Sequence, residues 1–347
     1  MIDYPLRRRS GDRKNRRTVL QLVGVTLFAP GLVLAQTKAT AKIPRVAVIF
    51  VTSPPSEFVG PDPINPGMRA FVHGMRDLGY VDGRNVILDL RSLESKWERL
   101  DGMVADLVRL KTDVMWIPST PLLARVVKLG TAIPIVVLGT SDLVETGLVR
   151  SLSRPGGNIT GFTLDVGPDL EGKRLELLLE VLPKARRIAY LGTREEWEGV
   201  PGEGVQSAAR RLGVTVFYAG ATTSDYGAAM AQIRKEKPHA FFVSPGATSY
   251  GFRRIIGEFA ASSGVPSSCG FSEIVELGCL MSYGTNIPEV IRRLTSYVDK
   301  ILKGAKPGDL PIERPTIFEL VVNLKTAKAA GVKIPQSVLL RVDRVVE

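Results

Sequence analysis

The sequence predicts an α/β protein made of two doubly wound lobes, each with a mostly parallel sheet. Apolar runs of strand length alternate with segments of helical spacing along most of the chain. The length of 347 residues exceeds one ordinary core and fits two domains. The alternation also starts again after a dense cluster of turn-forming residues at 154–158. We therefore expect two lobes in tandem, with a ligand cleft between them.

The individual elements follow from the spacing of apolar residues. In the first half, strands are expected at 45–50, 86–90, 113–117 and 133–139, and helices at 67–78, 97–110, 121–129 and 144–152. In the second half, strands are expected at 188–191, 214–218, 240–243, 266–271 and 280–283, and helices at 170–182, 205–212, 226–237 and 252–261. A long amphipathic helix is expected at 288–302.

These elements suggest where each lobe begins and ends. We expect the first lobe to comprise residues 41–158 and about 285–315, and the second lobe residues 159–284. A strand at 159–164 is expected to carry the chain between the lobes as a hinge element. Residues 316–347 are expected to cross back over the hinge.

The first 35 residues have the features of a cleavable signal peptide. A basic head that runs from Arg7 to Arg17 precedes an apolar run at 19–34, and small residues allow cleavage after Ala35. The adjacent Arg16 and Arg17 leave the twin-arginine route open, although a general secretion signal is favoured. The protein is therefore expected to be exported.

The charge pattern argues against a nucleic-acid partner. The whole chain has a net charge of +11, which falls to about +6 without residues 1–35. The remaining basic residues are scattered among helices and are not clustered with aromatic residues, as a nucleic-acid surface requires. We expect no nucleic acid to bind.

Catalytic motifs are missing from the sequence. The chain contains only two histidines, His73 and His239, and they lie in separate contexts that suit neither a metal site nor a triad. Neither a G-x-S-x-G motif nor a Walker A motif occurs. We therefore expect no enzyme activity, no catalytic residues, no cofactor and no metal. An exported enzyme with a doubly wound fold remains the less favoured alternative.

The two cysteines, Cys269 and Cys279, leave two interpretations open. Export to an oxidising compartment permits a disulfide, but their spacing does not decide the matter. We expect two buried free thiols.

Polar residues at the ends of predicted strands are the candidate binding residues. Ser119 and Thr120 follow the strand at 113–117, and Thr140, Ser141 and Asp142 follow the strand at 133–139. Hydroxyls and free N–H groups at helix starts bind carboxylates well, but the same residue types also cap helices. In the second lobe the corresponding tips are at 244–246 and 271–272. Both interpretations remain open for each residue.

Six segments of the sequence resemble one family of proteins. They are 71–85 (FVHGMRDLGYVDGRN), 147–161 (GLVRSLSRPGGNITG), 172–178, 280–284, 297–307 and 319–328. Together they are similar to the ABC-transporter substrate-binding proteins related to tryptophan/tyrosine uptake, which have a type I periplasmic-binding-protein fold. The resemblance extends over nearly the whole chain after the signal peptide.

The resemblance implies a periplasmic protein that captures a small solute by hinge closure and delivers it to an ABC permease in the inner membrane. The solute is expected to be an amino acid or another small carboxylate, and the protein to be a monomer. Hydroxyls after the third and fourth strands typically hold the ligand carboxylate in similar proteins, and Asp142 matches an acidic position. The expected ligand-binding residues are Ser119, Thr120, Thr140, Ser141, Asp142, Ser244, Phe271 and Tyr283. A sensory protein that signals to a membrane receptor is the alternative.

Overall fold

The computed structural model describes residues 42–164, 167 and 169–347. The predicted signal peptide lies outside these residues. The strands are β1 Arg45–Phe50, β2 Ile87–Ser92, β3 Val114–Ile117, β4 Ile135–Gly139, β5 Ile159–Thr163, β6 Arg187–Thr193, β7 Thr215–Ala221, β8 Ala240–Val243, β9 Ser267–Cys269, β10 Met281–Thr285, β11 Ile312–Glu313, β12 Phe318–Asn323 and β13 Arg344–Val346.

Helices connect most of the strands. They are α1 Pro66–Asp77, α2 Leu100–Arg109, α3 Thr120–Lys128, α4 Asp169–Val181, α5 Arg194–Glu198, α6 Val200–Leu212, α7 Gly227–Glu236, α8 Ala247–Gly251, α9 Arg253–Ser263, α10 Ser272–Glu276, α11 Ile287–Leu302, α12 Leu324–Ala329 and α13 Gln336–Leu339. None of the helices in the described part of the chain is long and apolar enough to span a membrane.

The strands form two sheets with the same core topology. The first has the order β11-β5-β4-β3-β1-β2, and all its pairings are parallel. The second has the order β13-β12-β10-β9-β8-β6-β7, and in it only β10 and β12 pair antiparallel. The strand order reverses at β1 in the first sheet and at β6 in the second. Ligands of such sheets bind at the carboxyl ends of the strands beside this reversal.

The chain passes between the lobes three times, and two boundaries differ from those expected. β5 pairs with β4 along all five residues and is buried throughout, so it belongs to the first sheet instead of opening the second lobe. β12 and β13 extend the second sheet beyond β10, so the C-terminal segment is part of that lobe. α11 returns to the first lobe, where it packs on α1.

The expectation of two free thiols is wrong. Cys269 and Cys279 form a disulfide, and both residues are fully buried. Cys269 ends β9 and Cys279 precedes the neighbouring strand β10, so the parallel pairing of these strands brings the two Cα atoms to 6.7 Å. Their separation of 10 residues along the chain did not indicate this proximity.

A second-lobe carboxyl group, that of Glu273, is buried at the start of α10. Its side chain is 5% exposed. The Tyr250 hydroxyl donates a hydrogen bond to Oε1 at 3.3 Å, whereas Oε2 has no hydrogen-bond partner among the described residues. Burial disfavours the charged form and raises the pKa of Glu273 to about 7.

This pKa predicts that the protein loses stability as the pH rises. The folded state favours the neutral carboxyl group of Glu273. The loss of folding stability caused by ionising this group is therefore absent below the unfolded pKa of 4.5 and complete above about pH 7. Glu273→Gln should flatten the dependence between these limits and stabilise the protein above pH 7 by at most about 3 kcal/mol. Urea unfolding between pH 4.5 and 8 measures this, with the exposed Glu258→Gln as control. A Glu273→Gln profile that parallels the wild-type profile would contradict the assignment.

Candidate functional site

Two connected cavities lie where the carboxyl ends of the two sheets meet. Residues that follow β1, β3 and β4 line them from the first lobe, and residues that follow β6 and β8 line them from the second. The residues that line both cavities are Val51, Ser119, Thr140 and Ala247. The cavities are therefore the inner and outer parts of one cleft.

The inner cavity is small and apolar. It has a volume of about 60 Å³ and is lined mainly by aromatic and aliphatic side chains, including Phe50, Trp116, Tyr250, Phe271 and Ile291. Trp116 is fully buried, and its Nε1–H has no hydrogen-bond partner among the described residues. Apart from this N–H group, the walls of the inner cavity are mainly apolar and suit an apolar group of a ligand.

The outer cavity is larger and less apolar than the inner one. It has a volume of about 300 Å³, and hydroxyl and carboxylate side chains line it from both lobes. From the first lobe come Ser119, Thr140, Ser141, Asp142, Glu145 and Thr146, and from the second Thr193, Glu195, Glu196, Thr223 and Thr248. Its walls suit the polar groups of a ligand whose apolar part lies deeper in the cleft.

Thr120 joins the two hydroxyl-bearing loops of the first lobe. Its Oγ1 accepts hydrogen bonds from the backbone N–H groups of Thr140 at 2.9 Å and Ser141 at 3.2 Å. In return, its own N–H donates to Thr140 Oγ1 at 3.4 Å. Thr120 is buried and is not among the residues lining the two cavities. It therefore holds Thr140 and Ser141 in place.

Asp142 lines the outer cavity and also caps a turn. Its Oδ1 accepts the N–H groups of Val144 at 2.7 Å and Glu145 at 2.9 Å, while Oδ2 lies 3.5 Å from the Arg314 guanidinium. The helix expected at 144–152 does not form, and the segment consists of turns. The left-handed φ of +70° at Gly147 contributes to this, because it interrupts helical geometry.

Glu196 is a cleft residue that the sequence analysis missed. It is the third residue of α5 and completes a capping box, in which Oε2 accepts the Thr193 N–H at 2.8 Å and Thr193 Oγ1 accepts the Glu196 N–H at 3.3 Å. The T-x-x-E spacing at 193–196 signals such a helix start. Only the position of α5 after β6, beside the strand-order reversal, brings the carboxylate to the cleft.

The remaining predicted residues have different surroundings. Phe271 lines the inner cavity. Ser244 is fully buried and does not line either cavity, and its hydroxyl lies beside the Glu196 carboxyl group and the Tyr190 hydroxyl. Tyr283 also lies outside both cavities: its ring packs 6.1 Å from that of Phe318, and its carbonyl accepts a hydrogen bond from Arg174 Nε at 2.8 Å. The structure thus brings Ser119, Thr140, Ser141, Asp142 and Phe271 together, but not Thr120, Ser244 and Tyr283.

The two lobes contact each other around the cleft. Arg253 of the second lobe pairs with Glu57 of the first, with 2.6 Å between Nη2 and Oε2, and Arg253 is only 6% exposed. Ser95 Oγ donates to the Thr223 carbonyl at 3.2 Å. Gly251 fits directly against Thr52, since a Cβ added there would lie 1.6 Å from Thr52 Oγ1 and 2.8 Å from Thr52 Cβ.

Comparison with known proteins identifies relatives across most of the chain. A family model described as "ABC transporter substrate binding protein" matches residues 56–346. The tyrosine-binding protein of Clostridioides difficile (strain R20291) is 25% identical over 276 residues, which cover 79% of each protein.

Solved structures share the fold. A conserved domain protein from Vibrio cholerae has a TM-score of 0.75 with 24% identity, covering 88% of this chain and 100% of that one. An ABC domain in complex with L-Trp from Streptococcus pneumoniae has a TM-score of 0.72 with 23% identity, covering 87% of this chain and 100% of that one. The predicted fold class and family resemblance are confirmed.

The close fit of Gly251 predicts that a methyl group there would hold the lobes apart. Gly251 is the last residue of α8 and has no positive φ, so alanine suits the backbone. Rotation of the Thr52 hydroxyl would leave the clash with Thr52 Cβ. We expect Gly251→Ala to increase the radius of gyration in small-angle X-ray scattering while circular dichroism stays unchanged.

Gly102→Ala is the matched control. Gly102 lies in α2, and an added Cβ there meets no atom within 4 Å. The radius of gyration of the Gly102→Ala protein should equal that of the wild type. Equal values for wild type, Gly251→Ala and Gly102→Ala would contradict the assigned contact between the lobes.

Proposed function

The chain belongs to the ABC transporter substrate-binding protein family, and on this premise we propose that it captures a small amphiphilic solute in the cleft and delivers it to an ABC permease. The observation that carries the proposal is the change along the cleft, from an apolar inner end to an outer end that hydroxyl and carboxylate side chains of both lobes line. A solute that contacts both lobes favours the arrangement in which they touch, because that arrangement binds it best.

The size of the inner cavity limits the apolar part of the solute. Benzene occupies an engineered protein cavity of about 150 Å³, whereas the inner cavity here has about 60 Å³. The inner cavity by itself is therefore smaller than the cavity that holds this aromatic ring. Relatives are described as binding tyrosine or as complexed with L-Trp, and for this chain we propose a smaller, aliphatic amino acid or carboxylate.

The hydroxyls of the first lobe are the proposed ligands of a solute carboxylate. Ser119, Thr140 and Ser141 all line the outer cavity, and each hydroxyl has a hydrogen to donate. Thr120 holds two of these residues at fixed positions, so less conformational entropy is lost when the solute binds. The protein acts in the periplasm as a monomer, without catalysis of its own.

A thermal-shift screen of the protein without residues 1–35 tests the proposal. Small aliphatic amino acids and carboxylates should stabilise it more than tryptophan or tyrosine do. A ligand present at about 100 times its dissociation constant should add about 2.7 kcal/mol to the free energy of unfolding. If no compound in a broad panel of small solutes stabilises the protein, the proposed function is wrong.

Two substitutions at Asp142 separate turn capping from ligand binding. Asp142→Ala removes the acceptor for two N–H groups and should cost about 1 kcal/mol of stability. Asp142→Asn keeps an oxygen acceptor and removes only the charge. We expect Asp142→Asn to keep wild-type affinity for any stabilising ligand from the screen, measured by calorimetric titration. A tenfold loss of affinity in Asp142→Asn would instead make Asp142 a ligand-binding residue.

A further inference from the structure

The outer cavity combines a high density of negative charge with a lack of positive charge. Four carboxylates line it, those of Asp142, Glu145, Glu195 and Glu196. Among the described residues that line either cavity, none is Lys, Arg or His. A ligand with only negative charge would meet repulsion here, although the chain as a whole carries a net charge of +11. The cleft thus favours a ligand that brings a positive charge.

Glu196 differs from the other three carboxylates in its surroundings. Like Glu145 and Glu195, it forms no ion pair with the described residues, but its Oε2 accepts a hydrogen bond from the Thr193 N–H at 2.8 Å. Glu196 is half-buried, and the loss of solvation raises the pKa of its carboxyl group. Asp142, by contrast, has both oxygens engaged by backbone N–H groups and Arg314. A cationic group would stabilise the charged form of Glu196, because this carboxylate is partly desolvated and has no ion-pair partner among the described residues.

The position of the Glu196 carboxylate depends on Gly246 in the neighbouring loop. A Cβ added at Gly246 would lie 1.5 Å from Glu196 Oε1 and 2.6 Å from its Cδ. Oε1 thus occupies the place where any other residue at 246 would have its side chain. Both residues line the outer cavity, together with Ser119, Thr140 and Ser141 of the opposite lobe. An acceptor on one lobe therefore shares the outer cavity with hydroxyl donors on the other.

We propose that Glu196 is the specificity-determining residue of the cleft and that its carboxylate, seated over Gly246, binds a primary ammonium group of the solute. The inference rests on the proposed function and adds the class of solute to it. The solute carries an ammonium group that contacts Glu196 of the second lobe. In a small aliphatic amino acid, the carboxylate then meets the hydroxyls of the first lobe. Glu196 binds the ligand directly, in addition to capping α5.

Matched ligands and variants separate binding from capping. Each aliphatic amino acid that stabilises the protein is compared with the acid that lacks its amino group, such as valine with 3-methylbutanoate. Glu196→Gln removes the charge but keeps the capping box, because Gln also serves at this position. Gly246→Ala displaces the carboxylate, and Glu198→Gln is the control, because it removes an exposed carboxylate of the same helix that lines neither cavity.

We expect wild type to bind the amino acid at least tenfold more tightly than the acid that lacks its amino group. Glu196→Gln and Gly246→Ala should each lower affinity for the amino acid at least tenfold, and Glu198→Gln by less than threefold. The unliganded Glu196→Gln protein should unfold at or above the wild-type temperature at pH 7.5.

Three results would overturn the inference. If stabilising ligands lack a cationic group, the proposed function survives and the role of Glu196 fails. The role also fails if Glu196→Gln binds the amino acid as tightly as wild type does. If neither the amino acids nor the acids that lack an amino group stabilise the wild type, the proposed function fails, and this inference fails with it.

Discussion

The structure depends above all on the direction of its parallel strands. Because the carboxyl ends of parallel strands meet at one edge of a sheet, the loops after β1, β3 and β4 form one cluster, and those after β6 and β8 form another. Both sheets reverse their strand order at the equivalent strand. The two clusters face each other across the cleft, so residues distant in sequence form a single site.

The two lobes contribute different chemistry to this site. The first lobe supplies hydroxyls on two loops that the hydrogen bonds of Thr120 connect. The second lobe supplies the Glu196 carboxylate on a capped helix. In the proposed function, the hydroxyls that bind the solute carboxylate lie on one lobe and Glu196 lies on the other. Selectivity in the proposed function therefore arises from closure, because only the closed arrangement presents donors and acceptor to one solute.

Part of the site was predictable because strand ends are visible in a sequence. Ser119, Thr140 and Phe271 follow apolar runs and do line the cleft. Tyr283 does not, because a strand directs alternate side chains to opposite faces and the apolar run did not indicate which face it occupies. Glu196 was missed because its place in the cleft depends on the missing side chain of Gly246, fifty residues further along the chain. The disulfide was missed because the pairing of β9 with β10 brings the two cysteines together, and the local sequence does not show that pairing.

The three passages between the lobes also govern the order in which the protein can fold. The first sheet requires β11, which the chain reaches only at Ile312, and the second requires β12 and β13, which follow it. Neither lobe is a continuous stretch of chain. While the chain is being synthesised from its amino terminus, both sheets remain incomplete until almost the last residues emerge. The chain is thus kept from its final fold until it has almost completely emerged.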